Sequence, residues 1–119
     1  MRISIITKFG INEKDKKTIR LLTLIRNLHM CGYDVSLISI ENRSYTKITV
    51  FNLTKNKYSD ESYAVKYYSS IDSVKDIILS SDKIILDKKI KYYEVIEDCF
   101  KEKIIDDKEV KLIFKNAQI

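Results

Sequence analysis

The tightest constraint on this chain lies near its N-terminus, where two short β-branched runs bracket one amphipathic stretch. Arg2-Ile3-Ser4-Ile5-Ile6-Thr7 has the pattern of a buried strand, stopped by Lys8-Phe9-Gly10. Asn12 is placed to cap the helix that follows, and Asp15 to reciprocate from the first turn. Leu21, Leu24, Ile25, Leu28 and Cys31 then recur at helical spacing while Arg20, Thr23 and Asn27 fall opposite, so one stripe is buried and one solvated. Gly32 supplies the left-handed residue that ends a helix. Tyr33-Asp34 lead into a second strand, Val35-Ser36-Leu37-Ile38-Ser39-Ile40, closed by Glu41-Asn42. Strand, helix and strand joined by short loops form a βαβ unit, whose strands run parallel with a right-handed crossover.

The rest of the chain extends the theme. Lys47 to Leu53 reads as a third strand, Asn56 to Ser62 as a polar loop, and Ala64 to Tyr68 as a short strand. Ser69 or Ser70 caps a helix with the stripe Ile71, Val74, Ile77 and Ile78. Lys83-Ile84-Ile85-Leu86-Asp87 is a continuous apolar run, hence a buried central strand. A further helix is predicted from Ile90 to Lys103, burying Tyr93, Ile96, Phe100 and Ile104, and Val110 to Lys115 supplies a closing strand. The expected fold is α/β: one Rossmann-like domain over residues 1–119, a three-layer sandwich around a mainly parallel sheet, with Ile5, Ile25, Leu28, Ile38, Ile85 and Phe100 in its core.

Composition narrows the function classes. Across 119 residues, 45% hydrophobic and 33% charged side chains suffice for a core and a solvated surface. No apolar run reaches the length of a membrane span, and the N-terminus turns polar before a signal peptide could form, so a cytoplasmic location is expected. Cys31 and Cys99 lack metal-ligand spacing, which predicts no metal and two buried thiols; nothing calls for a cofactor. His29 stands alone, on the predicted surface of the first helix, so neither a histidine metal site nor a histidine-based triad is signalled. GxGxxG and GxxxxGK[ST] are both missing, against a nicotinamide or ATP site of the usual kind. Tyr67-Tyr68 and Tyr92-Tyr93 read as pairs with one ring in the core and one outside. The net charge is +5, but 17 acidic residues are interleaved with 22 basic ones, which argues against a dedicated nucleic-acid surface. With two glycines, no proline and no tryptophan, the composition also carries the lysine, isoleucine and tyrosine skew of an AT-rich genome. Ile48 to Leu53 is read as an edge strand able to pair with a second copy in a homodimer.

In open parallel sheets ligands bind beyond the carboxyl ends of the strands, where the strand order reverses. That rule selects Thr7, Lys8, Phe9 and Gly10 after the first strand, Glu41 and Asn42 after the second, Asp87 and Lys88 after the apolar run, and Asn116 after the last. The loop holding Gly10 also opens a helix, whose free N–H groups favour anions, and Lys8, Lys14, Lys16 and Lys17 add to that field. The ligand-binding set is Thr7, Lys8, Phe9, Gly10, Lys14, Glu41 and Asp87; no catalytic residue is assigned.

The stretch from Arg2 to Ser39 resembles the opening of the N-terminal domain of GT-B-type glycosyltransferases. The matching pieces are Arg2 to Thr7, then Phe9-Gly10, then Leu21 to Leu28, then Cys31-Gly32-Tyr33-Asp34-Val35-Ser36-Leu37-Ile38; Ser81 to Asp87 resembles a later acidic-then-apolar strand of that domain. The resemblance implies the acceptor-side half of such an enzyme, with the sugar-nucleotide domain of the family outside these residues. The expectation is a small module that binds an anionic, nucleotide- or phosphate-containing ligand without complete catalytic equipment. The alternative is a small basic protein of archaeal or viral origin that acts by association with nucleic acid or a protein partner.

Overall fold

In the computed structural model, residues 1–8, 16–42, 46–54, 62–68 and 70–117 are described. β1 (Arg2–Thr7), α1 (Lys16–Met30) and β2 (Asp34–Asn42) form the expected unit, β1 pairing parallel to β2 from Arg2↔Asp34 to Thr7↔Ser39. The start of α1 follows the described residues only from Lys16, so the predicted Asn12 cap lies outside them. Its end is sharp: Gly32 sits at φ 99°, Tyr33 N–H donates to Leu28 O (3.2 Å) and Gly32 N–H to His29 O (2.9 Å). This pair of bonds satisfies the last carbonyls of the helix and needs a left-handed residue, which glycine supplies without steric cost.

β3 (Thr46–Thr54) pairs antiparallel to β2, and β4 (Ser62–Tyr68) antiparallel to β3. Ser70 accepts from Asp72 N–H (3.2 Å) and opens a 3₁₀ turn, Ile71–Val74, that runs into α2 (Lys75–Leu79). β5 (Lys83–Leu86) returns parallel to β1, followed by α3 (Tyr93–Phe100), a second 3₁₀ turn at Lys101–Lys103 and α4 (Asp107–Ala117). The strand order is β4-β3-β2-β1-β5. Register carries the two faces across the sheet. Ile3, Ile5, Val35 and Leu37 pack with Ile25 and Leu28 of α1 and Ile113 of α4, while Ile6, Ile38, Ile40, Ile48, Val50 and Ile84 pack with Val74, Ile78, Ile96 and Phe100.

Several expectations are corrected. The sheet is mixed: residues 43–45 are too few to carry a crossover from β2, so β3 must turn back against it. β5 is the edge strand rather than the central one. Its apolar run is required because helices pack on both faces, and its outer side is partly covered by the parallel bridge Ile84↔Ile104, where Ile105 N–H donates to Ile84 O (3.0 Å). Ile84 is fully buried there and Ile85, taken as core, is only half-buried. β3 is interior, not an edge. Residues 110–115 are helical, because Asp106 Oδ1 accepts from Glu109 N–H (2.8 Å) and so caps α4, which buries Ile113 and half-buries Val110 and Phe114. Asn116 therefore sits on the last turn of a helix, away from any strand end. The third helix is shorter than expected, with Tyr93 half-buried at its start. His29 is buried, its Nδ1 3.2 Å from Tyr33 O, whereas Cys31 and Cys99 are exposed: Cys31 stands in the turn after α1, and Cys99 precedes buried Phe100 by a step that turns it outward. Of the expected core residues, Ile5, Ile25, Leu28, Ile38 and Phe100 are buried. No helix among the described residues is long and apolar enough to cross a membrane.

Candidate functional site

β1 is the point where the strand order reverses. From β1 the chain passes through α1, on one face, to β2; it reaches β5, on the other flank of β1, only after α2 on the opposite face. The helices that follow β1 and β5 consequently lie on opposite faces, the arrangement in which open α/β sheets place a ligand at the carboxyl ends of such strands. Thr7, Lys8, Asp87, Lys88 and Lys89 stand at that end, with Glu41 at the end of β2 on the far side of β1. Phe9, Gly10 and Lys14 lie outside the described residues.

The register shows what forms the floor. Ile5↔Ile85 and Ile5↔Leu37 make an apolar row across the α1 face, and the next row on that face is polar. Asp87 extends the β5 ladder by one residue, its N–H donating to Ile6 O (3.0 Å), and so falls beside Thr7. Thr7 pairs with Ser39, and Ser39 with Thr49 of β3. Asp87, Thr7, Ser39 and Thr49 thus line up across four strands, a span of about 14 Å at the usual strand spacing. Thr7, Ser39 and Thr49 are buried at 6%, 1% and 5% exposure, so these hydroxyls belong to the interior rather than to the solvated rim. Ser39 Oγ has no hydrogen-bond partner among the described residues, which marks this row as a place where polar capacity exceeds what the protein itself uses. Glu41 lies on the same face one step further along β2, with its Oε2 buried.

The carboxylate of Asp87 is held in place. Its Oδ1 accepts from Lys89 N–H (2.9 Å), a turn in which the side chain mimics a backbone carbonyl, and Ile90 N–H donates to Asp87 O (3.4 Å). That turn carries exposed Lys88 and Lys89 just past the end of β5, and Lys8, also exposed, follows the end of β1. Three ammonium groups, a fixed carboxylate and a row of buried hydroxyls can together hold a ligand that carries both negative charge and hydroxyl groups: lysines and hydroxyl donors for the anionic oxygens, Asp87 and Glu41 as acceptors.

A concavity of about 490 Å³ lies along the outer edge of β5 between α3 and α4, floored by Ile85, Leu86, Ile104 and Ile105. Lys88, which follows β5, lines it too. On its wall the Tyr93 hydroxyl donates to Glu97, and that bond, with burial, raises the phenol above its ordinary value. Among the described residues no group of three His, Cys, Asp or Glu side chains is gathered closely enough to hold a metal ion.

The strand rule thus finds Thr7, Lys8, Glu41, Asp87 and Lys88 at one end of the sheet, and does not find Ser39, Thr49 and Lys89. Serine and threonine within a strand read as its solvated side until the register aligns them. The fold defines an α/β protein with a mixed five-stranded sheet and a polar row at the reversal of strand order. No family model, curated protein or solved structure matches the chain.

Proposed function

We propose that this chain is a Rossmann-like module, a three-layer sandwich whose parallel half is extended by the β3–β4 hairpin, and that it binds an anionic, phosphate- or nucleotide-containing ligand at the mouth beside β1. The observation that carries the reading is the buried row Asp87-Thr7-Ser39-Thr49 at the reversal point, with Ser39 Oγ lacking a partner among the described residues. Buried hydroxyls cost stability unless they are bonded, and a ligand oxygen supplies the missing partner. Lys8, Lys88 and Lys89 provide the counter-charge, and Asp87 and Glu41 accept from sugar hydroxyls. The resemblance of Arg2 to Ser39 to the acceptor-side half of GT-B glycosyltransferases is in keeping with such a ligand, and no catalytic step is assigned to it.

The test is a thermal-shift panel of inorganic phosphate, nucleotides and sugar nucleotides. Binding raises the melting temperature with the logarithm of ligand concentration above the dissociation constant. Lys8→Ala and Ser39→Ala remove that rise while each variant alone still melts cooperatively; a panel without any shift, or with equal shifts in all three proteins, rules the mouth out. A second reading draws on α4, where exposed Lys108, Lys111 and Lys115 recur at three and four along one face. Association with nucleic acid through that stripe would give retention on DNA that falls steeply with salt and is lost in a Lys108, Lys111, Lys115 triple alanine variant.

A further inference from the structure

The two edges of the sheet are finished differently. β5 has four residues, and its outer side receives the Ile104–Ile105 segment through the bridge to Ile84. β4 has seven residues, all paired on one side with β3, and no described residue pairs with its other side. Its sequence, Ser62-Tyr63-Ala64-Val65-Lys66-Tyr67-Tyr68, contains no proline, no glycine and one charge, so the usual means of blunting an edge are reduced to Lys66. An edge of this kind presents backbone donors and acceptors that another strand can satisfy.

We propose that the outer edge of β4 pairs with β4 of a second copy of this chain, antiparallel about a two-fold axis at Val65, so that one sheet runs through both copies. Symmetry and charge select this occupant. A two-fold axis through the sheet keeps each face on its own side, so the register can change only in steps that preserve the alternation of residues. Centred on Val65, every residue of both strands is paired: Tyr63 opposite Tyr67, Ser62 opposite Tyr68 and Ala64 opposite Lys66. One step one way sets Lys66 opposite Lys66, a like-charge pair; one step the other way shortens the pairing. The strand therefore has a single full-length register with itself, free of charge conflict and rich in the aromatic and β-branched pairs that stabilise sheets. Tyr63, Val65 and Tyr67 are in register with Leu53, Phe51 and Thr49, so the two copies continue that ladder across the axis.

Sedimentation equilibrium on the full chain tests this with two substitutions at one site. The unaltered chain should show a dimer mass at micromolar concentration that falls on dilution. Ala64→Lys sets like charges opposite each other twice per dimer and should weaken association about tenfold or more, while Ala64→Glu sets opposite charges there and should hold or tighten it. Both replace the same alanine with a long polar side chain, so damage to the strand itself would weaken the two alike. A chain that stays monomeric up to high micromolar concentration, or equal weakening in both variants, overturns the proposal; the first result would leave the edge to a strand from a different protein.

Discussion

The sheet is two constructions joined at β2. In the half made of β2, β1 and β5 every strand runs the same way, β2 and β5 are each reached through a helix, and α1 and α4 pack on one face while α2 and α3 pack on the other. In the half made of β3 and β4 the strands alternate in direction. The parallel half places three strand ends side by side and can build a mouth. The antiparallel half places alternate ends together and builds a border. The polar row that begins at Asp87 and Thr7 crosses from the first half into the second only at Thr49, while the open edge belongs to the second half alone.

The comparison is most exposed to a break at Ile84. This residue is fully buried, pairs with Ser4 across β1 and receives Ile105 on its outer side, so Ile84→Ala should cost about 2 to 5 kcal/mol in a denaturant titration. Ile85→Ala, one residue on and half-buried, should cost clearly less. Equal costs would show that β5 is not seated between two helical layers as described. Next comes the crossover that makes β1 and β2 parallel. Gly32→Ala meets no atom within 4 Å but must hold φ near 99°, so it should lose roughly 1 to 2 kcal/mol through backbone conformation alone. An unchanged midpoint would mean that the helix end has another way to close.

Asp106→Ala removes the acceptor for Glu109 N–H at the start of α4 and should cost about 1 kcal/mol, with Asp106→Asn recovering most of it. The smallest effect belongs to Lys83, whose ammonium group donates to Glu109 and is held above its ordinary value of 10.5 chiefly by that bond. A raised lysine stabilises the fold fully below the unfolded value and loses that contribution as pH rises through the folded one. Glu109→Gln should therefore lower stability slightly at neutral pH and flatten the fall above about pH 10, so that the two proteins converge at the alkaline end of a series of melting temperatures.

Much of the parallel half is legible from residues. The run Arg2 to Thr7 matches β1 end for end, Gly32 stops α1, and Ser70 caps the turn before α2, because each signal acts within a few residues of itself. Lateral order is another matter. The apolar run Ile84-Ile85-Leu86 reports that both faces of β5 are covered, which is true, but says nothing about how many strands flank it. Val110 to Lys115 shows the limit from the other side: four apolar residues in close succession imitate a strand, and the deciding information is the pair Asp106 and Glu109 upstream, whose spacing fits a helix start. The mouth is half legible for the same reason. Lys8 and Asp87 follow their strands and are found by position, whereas Ser39 and Thr49 join the site only through pairings between strands.

One bond at the mouth bears on how tightly a ligand could be held. Because Asp87 N–H reaches Ile6 O while Thr7 is still in register with Ser39, the last peptides of β1 are fastened on both flanks, and Lys8 springs from an anchored backbone. A ligand that draws in this ammonium group would have to immobilise a side chain and not a stretch of main chain. Ordering a flexible side chain forfeits about 0.5 to 1.5 kcal/mol of affinity, and a mobile loop would forfeit more with every residue it fixed. At the proposed mouth the main chain that carries Lys8 is thus already fixed.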